Sequence, residues 1–145
     1  MIKEMNFTRK LLKLLPYWHY KIDKPFKLFI KDKMSLETYY CLQILLENGP
    51  MTMSQICNKL NISKQRATTL IEKLYEHKFV ERKTNERDRR YIDIFVSKTG
   101  KDYIEKNIYN NKEFINSLEK GLTKEDLIKL EGSINTLLEV LTKIK

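Results

Sequence analysis

The chain has 145 residues, a length that predicts one domain able to bury a core without a metal or a disulfide framework. It carries 28 Lys and Arg against 19 Asp and Glu, and the resulting net charge of +9 favours a polyanionic partner such as nucleic acid or an anionic membrane surface. A hydrophobic fraction of 41% with four Gly and three Pro excludes disordered and collagen-like classes.

The sequence contains few residues that could form a disulfide, bind a metal or catalyse a reaction. The two cysteines, Cys41 and Cys57, are too few for a disulfide framework, and His19 and His77 are not spaced with them as zinc ligands are. No nucleophile with a base and no acid–base pair has a recognisable spacing, so we expect no enzyme, no cofactor and no metal. No apolar run is long enough for a membrane helix or a leader, and we therefore expect a cytoplasmic protein.

The first 33 residues are basic and helix-prone, with nine positive and three negative side chains. Leu11, Leu12, Leu14 and Leu15 favour a helix, but Pro16 cannot donate a backbone hydrogen bond. The sequence leaves open whether one bent helix or two short helices precede Ser35.

From Ser35 onward, N-cap residues and helix-ending residues predict three helices. Ser35 is an N-cap, and Asn48-Gly49-Pro50 ends the helix that it begins. Thr52 and Gln55 have the spacing of a capping box, which predicts a short second helix. Ser63 caps a third, whose apolar residues recur at the spacing of one buried face: Ala67, Leu70, Ile71, Leu74 and Tyr75.

A β-hairpin and two more helices follow. Residues 79–83 and 90–96 alternate apolar with charged side chains and are joined by a highly charged stretch, which predicts a hairpin with a basic tip. Ser97 is expected to cap a long helix that runs to about Lys120, and Thr123 to begin the last helix. That helix has a heptad seam, spaced 3-4-3-4-3, which requires a partner helix from this chain or from a second one: Leu127, Leu130, Ile134, Leu137, Leu141 and Ile144.

Short helices joined by a tight turn and followed by a basic hairpin predict a winged helix-turn-helix, a mainly α fold with a small β-hairpin wing. In that fold the helix capped by Ser63 lies in the DNA major groove. Gln65 can pair with adenine, and the cations can reach guanine or phosphate, while the threonines can meet a thymine methyl group. The predicted major-groove residues are Ser63, Lys64, Gln65, Arg66, Thr68, Thr69 and Lys73.

The hairpin tip is expected to lie at the minor groove, where negative potential is focused. Arg87, Arg89 and Arg90 surround Asp88, which would repel phosphate if it stood alone. We expect Asp88 to orient the guanidinium of Arg90 through a bidentate pair rather than to contact DNA.

Four segments give the chain a resemblance to MarR-family winged-helix transcription regulators. They are Thr52-Met53-Ser54-Gln55-Ile56-Cys57, Arg66-Ala67-Thr68-Thr69-Leu70-Ile71-Glu72-Lys73-Leu74, Phe79-Val80-Glu81-Arg82, and Asp88-Arg89-Arg90 followed by Val96-Ser97-Lys98-Thr99-Gly100. The family often has a glycine where this chain has Lys78. The resemblance implies a homodimer that represses by binding a pseudo-palindromic DNA operator and is released by a small ligand or an oxidant.

On this resemblance, residues 1–145 form a single MarR-like domain. Residues 34–100 are its DNA-binding winged region, and 1–33 with 101–145 are its dimerisation helices. Tyr17, Trp18, Tyr20 and Tyr39 cluster where the family often binds aromatic or phenolic effectors, although core or dimer packing is the favoured explanation of these residues. Redox members carry a reactive cysteine near the start of the chain, whereas Cys41 and Cys57 are typical of core positions.

Two other functions remain open. A winged-helix module can bind a protein instead of DNA, but it would not need the nine Lys and Arg residues of segment 64–90. The basic, leucine-rich first segment could attach to a membrane surface, although a dimer interface accounts for the leucines more simply. We therefore expect double-stranded DNA as the partner and no membrane.

Overall fold

The computed structural model describes residues 2–30 and 34–145, and it confirms a mainly helical fold with a small antiparallel sheet. Residues 1 and 31–33 of the predicted N-terminal arm lie outside the described residues. The elements are α1 (Ile2–Trp18), α2 (Lys24–Phe29), α3 (Leu36–Asn48), β1 (Met51–Thr52), α4 (Met53–Leu60), α5 (Lys64–Glu76), β2 (Val80–Thr84), β3 (Ile92–Val96), α6 (Lys98–Tyr103), α7 (Lys112–Glu119) and α8 (Lys124–Leu141).

The N-terminal arm is one bent helical path. Helix α1 continues through Pro16 to Trp18 and then widens into a single π-helical turn, His19–Asp23, which leads directly into α2. The amide of Lys24 donates to the carbonyl of His19, five residues back. Of the two alternatives that the sequence left open, the structure shows the continuous one.

The predicted caps of the central helices are confirmed. The Ser35 and Ser63 hydroxyls accept from the amides of Thr38 and Arg66, and Thr52 forms the reciprocal capping box with Gln55. Each cap satisfies amides that the first helical turn leaves without a partner.

The sheet has the strand order β1-β3-β2, with both pairings antiparallel. In the β1–β3 pairing, which the sequence did not predict, Met51 lies opposite Ile94. Strand β2 begins at Val80, one residue later than expected, and β3 begins at Ile92, two residues later, because residues 85–91 form an ordered turn before it.

One hydrophobic core joins helices α2 to α6 and the sheet. Its fully enclosed members include the apolar face of α5, which was predicted correctly except for the exposed Tyr75. The buried apolar residues are Phe26, Ile30, Met34, Cys41, Leu42, Leu45, Met51, Ile56, Ala67, Leu70, Ile71, Leu74, Phe79, Val80, Ile94, Val96, Ile104 and Ile108.

The prediction of one helix from Ser97 to about Lys120 was wrong. Ser97 does cap α6, but a π-helical turn, Ile104–Tyr109, follows, and the chain breaks at Asn110 and Asn111 before α7. The Asn110 amide group donates to the carbonyl of Glu105, and the Asn111 side chain accepts from the amide of Phe114. These local hydrogen bonds compete with the helical ladder and turn the chain.

Helices α1 and α8 are left largely uncovered. Among the described side chains of α1 only Leu11 is half-buried, and in α8 only Leu127 and Leu137 are. The capping box of α8, between Thr123 and Asp126, is confirmed. The helix ends at Leu141, so the prediction that Ile144 lies on its seam was wrong.

Lys78 has a left-handed backbone, with φ of 63°, directly after α5. Its amide donates to the carbonyl of Tyr75, and the amide of Phe79 donates to that of Leu74, so the end of α5 is closed before β2 starts.

No helix in the described ranges is long and apolar enough to cross a bilayer. The same residues contain no group of three or more His, Cys, Asp and Glu side chains arranged to hold a metal ion.

Gly100 lies in a crowded site and Gly132 in an open one, so substituting each glycine by alanine tests the packing. A Cβ at Gly100 would lie 2.3 Å from the carbonyl oxygen of Phe79, whereas at Gly132, opposite the seam of α8, nothing lies within 4 Å. We expect Gly100→Ala to destabilise the protein by about 1–3 kcal/mol, and Gly132→Ala to stabilise it by up to about 1 kcal/mol through helix propensity. Urea denaturation measures both, and equal effects would contradict the close approach at Gly100.

Candidate nucleic-acid interface

Helix α5 presents one apolar and one polar face. Ala67, Leu70, Ile71 and Leu74 are buried, and the remaining residues of the helix are exposed. Gln65 and Thr69, four residues apart, lie on the side opposite the buried face. Because the core holds the apolar face, the polar face has a fixed direction toward solvent.

The two threonines of this face are ordered by their own helix. Thr68 Oγ1 donates to the carbonyl of Lys64 at 2.8 Å, and Thr69 Oγ1 donates to that of Gln65 at 3.1 Å. Each hydroxyl oxygen keeps lone pairs that can accept from a ligand. The side chains are thus held by the helix while still exposed.

Arg66 has a partner that the sequence did not indicate. Its Nη2 forms an ion pair with Oε2 of Glu37, in the first turn of α3. The pair lies at the edge of a groove of about 500 Å³ that Lys27 and Lys73 also line. One predicted DNA contact is therefore engaged within the protein.

A second long-range pair connects α5 to the wing. Arg82 Nη2 on strand β2 lies 2.5 Å from Oε1 of Glu72, and the Arg82 guanidinium carbon lies 4.6 Å from the centre of the Tyr75 ring. An arginine held by a carboxylate and an aromatic face loses little freedom on ligand binding. Arg82 thus links the wing strand to α5.

The wing tip is organised by Asn85. Its Oδ1 accepts from the amides of Arg87 and Asp88 at 2.9 and 3.0 Å, and its Nδ2 donates to both carboxylate oxygens of Asp93. This is the local turn that asparagine favours. The Asn residue before a charged run was a signal that could have identified it, whereas the contribution of Asp93 depends on the strand register.

The predicted pair of Asp88 and Arg90 is present. Arg90 Nε and Nη2 donate to the two oxygens of Asp88, at 3.0, 3.1 and 2.7 Å, and the Arg90 amide donates to Oδ1 at 3.0 Å. The hydrogen bond from the Arg90 side chain, and then that from its amide, lowers the pKa of Asp88. The carboxylate therefore stays ionised and holds the guanidinium in one orientation.

Arg87 and Arg89 are exposed, and within the described part of the chain neither side chain has a hydrogen bond or an ion pair. Segment 64–90 holds nine Lys and Arg against five Asp and Glu, a net charge of +4. The structure thus brings together, on α5 and the tip of its attached wing, the residues that the sequence selected.

Among the residues that the structure describes, the four that were predicted to bind an effector do not enclose a pocket. Tyr17, Trp18 and Tyr20 are exposed on the N-terminal arm, and Lys24 Nζ lies 4.9 Å from the centre of the Tyr20 ring. Tyr39 is half-buried, with its ring centre 5.2 Å from that of Phe26. An aromatic effector at these residues stays a prediction.

Gln43 connects helix α3 to the second π-helical turn through two tyrosine hydroxyls. The hydroxyls of Tyr39 and of Tyr109, at the end of the second π-helical turn, both donate to Gln43 Oε1 at 3.1 Å. Burial, followed by the charge and the hydrogen bond of Tyr109, raises the pKa of Tyr39 above its usual value. The phenol therefore remains a neutral donor.

Known proteins resemble the chain in sequence and in fold. The model of the MarR family matches residues 34–92. Two Bacillus subtilis proteins, the uncharacterized HTH-type transcriptional regulators YwhA and YsmB, are 30% and 28% identical over 60% and 66% of this chain. The matches span just under two-thirds of these curated relatives, 63% and 66%.

Solved structures share the fold over most of the chain. A MarR family protein from Bacillus stearothermophilus is 21% identical, with a TM-score of 0.72, and the match covers 96% of this chain and 98% of that one. A cysteine-to-serine mutant of MarR from E. coli, complexed with operator DNA, is 18% identical, with a TM-score of 0.64 over 92% and 96% of the two chains.

The thiol of Cys41 offers a test of the core. It is fully buried, and burial, followed by the charges of Glu37 and Cys57, raises its pKa to about 12. Since only the thiolate reacts, and on the order of one part in ten thousand is ionised at pH 8, native Cys57→Ala protein should resist a thiol-reactive disulfide reagent. The same variant in urea should react fully. Rapid stoichiometric labelling of the native variant would contradict this environment.

Proposed function

We propose that the protein is a MarR-family transcriptional regulator that binds double-stranded DNA as a homodimer, since the model of that family matches its winged-helix region, residues 34–92. The observation that carries the proposal is the joint presentation of a polar helix face and an arginine-rich wing tip, connected by Arg82. The related MarR structure complexed with operator DNA supports it.

In this proposal α5 lies in the major groove. Gln65 is the residue best suited to base recognition, because its side-chain amide can pair with both hydrogen-bonding groups of adenine. Lys64 and Lys73 on the flanks are suited to phosphate, and Ser63 with the first amides of α5 can hold another phosphate at the positive end of the helix. The threonines accept a thymine methyl group or a phosphate.

The wing reaches the minor groove in this proposal. Arg87 and Arg89 are exposed at its tip, and Arg90 is pre-oriented by Asp88. A guanidinium in a narrow minor groove gains from the focused negative potential. The contacts of the wing therefore add affinity, while α5 supplies base recognition.

The dimer is proposed from the arms, residues 1–33 and 101–145, with residues 34–100 as the DNA-binding region. Exposed apolar side chains are concentrated on α1 and α8, including Leu12, Leu15, Leu130, Ile134 and Leu141. A heptad seam without a covering helix in its own chain is typical of an interface with a second copy. The repressor role and the release by an aromatic ligand rest on the family resemblance alone.

DNA binding is tested by selecting bound duplexes from a random library and titrating the enriched duplex at several salt concentrations. We expect an inverted repeat. Arg90→Ala should weaken binding to every sequence and reduce the salt slope by about 0.9, the loss of one phosphate contact. Gln65→Ala should change the preferred base at one position.

Arg9→Ala, the same change on exposed α1, serves as the control and should leave the slope unchanged. A normal salt slope and affinity for Arg90→Ala would refute the role of the wing. Enrichment of no duplex would favour the alternative, a winged-helix module that binds protein.

Dimerisation is tested by placing a charge on the seam. Leu130→Asp or Ile134→Asp should convert a dimer to a monomer in sedimentation equilibrium, because each buries an unpaired carboxylate in the proposed interface. Ile128→Asp is the matched control, since Ile128 is 69% exposed and lies off the seam. A monomeric wild-type protein, or equal effects of all three changes, would contradict the proposed interface.

A further inference from the structure

The ion pair between Arg66 and Glu37 connects the first turn of α5 to the first turn of α3. Both side chains are about half exposed, at 55% and 52%. An exposed pair of this kind is weak and can open at small cost. The pair therefore orients the Arg66 side chain but can open when a competing anion binds.

The position of the pair determines where the Arg66 charge lies. On α5, Gln65 and Thr69 form the middle of the exposed face, and Arg66 lies on the flank that faces α3. Arg66 lines both the groove shared with Lys73 and a smaller depression beside Gln65. Pairing with Glu37 draws the guanidinium toward α3 and away from the middle of the face.

Glu37 competes with phosphate for Arg66. A carboxylate beside the DNA backbone is repelled, and a guanidinium that already binds a carboxylate neutralises no phosphate. Sequence-independent binding depends almost entirely on the number of phosphates neutralised. A phosphate that base contacts hold beside Arg66 can displace Glu37, and opening the pair then subtracts from the free energy of operator binding.

We propose that Glu37 is a positioning residue that restrains DNA binding through Arg66. On DNA of arbitrary sequence Arg66 stays paired with Glu37, and on the operator it exchanges Glu37 for a phosphate. Glu37 thereby weakens binding to both kinds of DNA: it withholds one phosphate contact from non-operator DNA, and it makes operator binding bear the cost of opening the pair. This inference rests on the proposed DNA-binding function of α5.

The test compares binding of a random-sequence duplex and of the selected duplex at several salt concentrations. Glu37→Gln should bind the random duplex roughly fivefold more tightly, the size of one exposed ion pair, with a salt slope steeper by about 0.9. Its affinity for the selected duplex should rise at least as much, because the pair no longer has to open, while the salt slope on that duplex stays unchanged.

Two further variants separate this role from general effects of charge and folding. Glu47→Gln removes the same charge from the other end of α3 and should leave the slope unchanged. In an Arg66→Gln background, Glu37→Gln should change the affinity for the random duplex much less, because only the repulsion between the carboxylate and the backbone is removed. A Glu37→Gln effect of the same size without Arg66, an unchanged salt slope on the random duplex, or a slope that steepens equally on both duplexes would overturn the proposal.

The random duplex also separates the two hypotheses. Should the library yield no enriched duplex, the proposed function fails, while the comparison of Glu37→Gln with and without Arg66 still reports whether Glu37 restrains Arg66. Conversely, an enriched operator with no effect of Glu37→Gln would leave the regulator intact and remove this role of Glu37.

Discussion

Ser97 and Gly100 join three parts of the molecule at one point, and the orientation of both the wing and α6 depends on that junction. The Ser97 hydroxyl donates to the carbonyl of Lys78 at 2.6 Å and accepts from the amide of Gly100 at 3.0 Å, while the Ser97 amide donates to the carbonyl of Phe79. Since Ser97 is buried, these bonds form where water cannot replace them. The end of α5, the start of β2 and the start of α6 are consequently held as one unit.

Polar side chains outside this junction orient the exposed residues of the candidate nucleic-acid interface. Arg82 links β2 to α5, Asn85 orders the wing tip, and Glu37 forms an ion pair with Arg66. Two of the three use a carboxylate to position an arginine, as Asp88 does for Arg90. Acidic residues within a basic surface thus define the direction of its cations, and the net charge alone does not describe what the surface can bind.

Local signals predicted the fold well, and long-range contacts account for what was missed. The caps at Ser35, Thr52 and Ser63 depend on residues three positions apart, and the Asp88–Arg90 pair on residues two apart, so the sequence displays them directly. Glu37 and Arg66 are 29 positions apart and meet only after α3 packs on α5. The break at Asn110–Asn111 was hidden because apolar residues continue beyond it at helical spacing, although an asparagine cap is a local signal. Strand β1 is two residues long and exists only through its pairing with β3.

The left-handed Lys78 shows where this chain carries unrelieved backbone strain. A side chain in that conformation costs about 1–2 kcal/mol relative to the right-handed region, and glycine alone avoids it readily. The strain lies in the middle of the three-residue link between α5 and the buried start of β2, so a shift that relaxed it would move the wing relative to the helix. Because this strained conformation is kept, the rigidity of the link between helix and wing depends on the surrounding core and not on the residue that forms the turn.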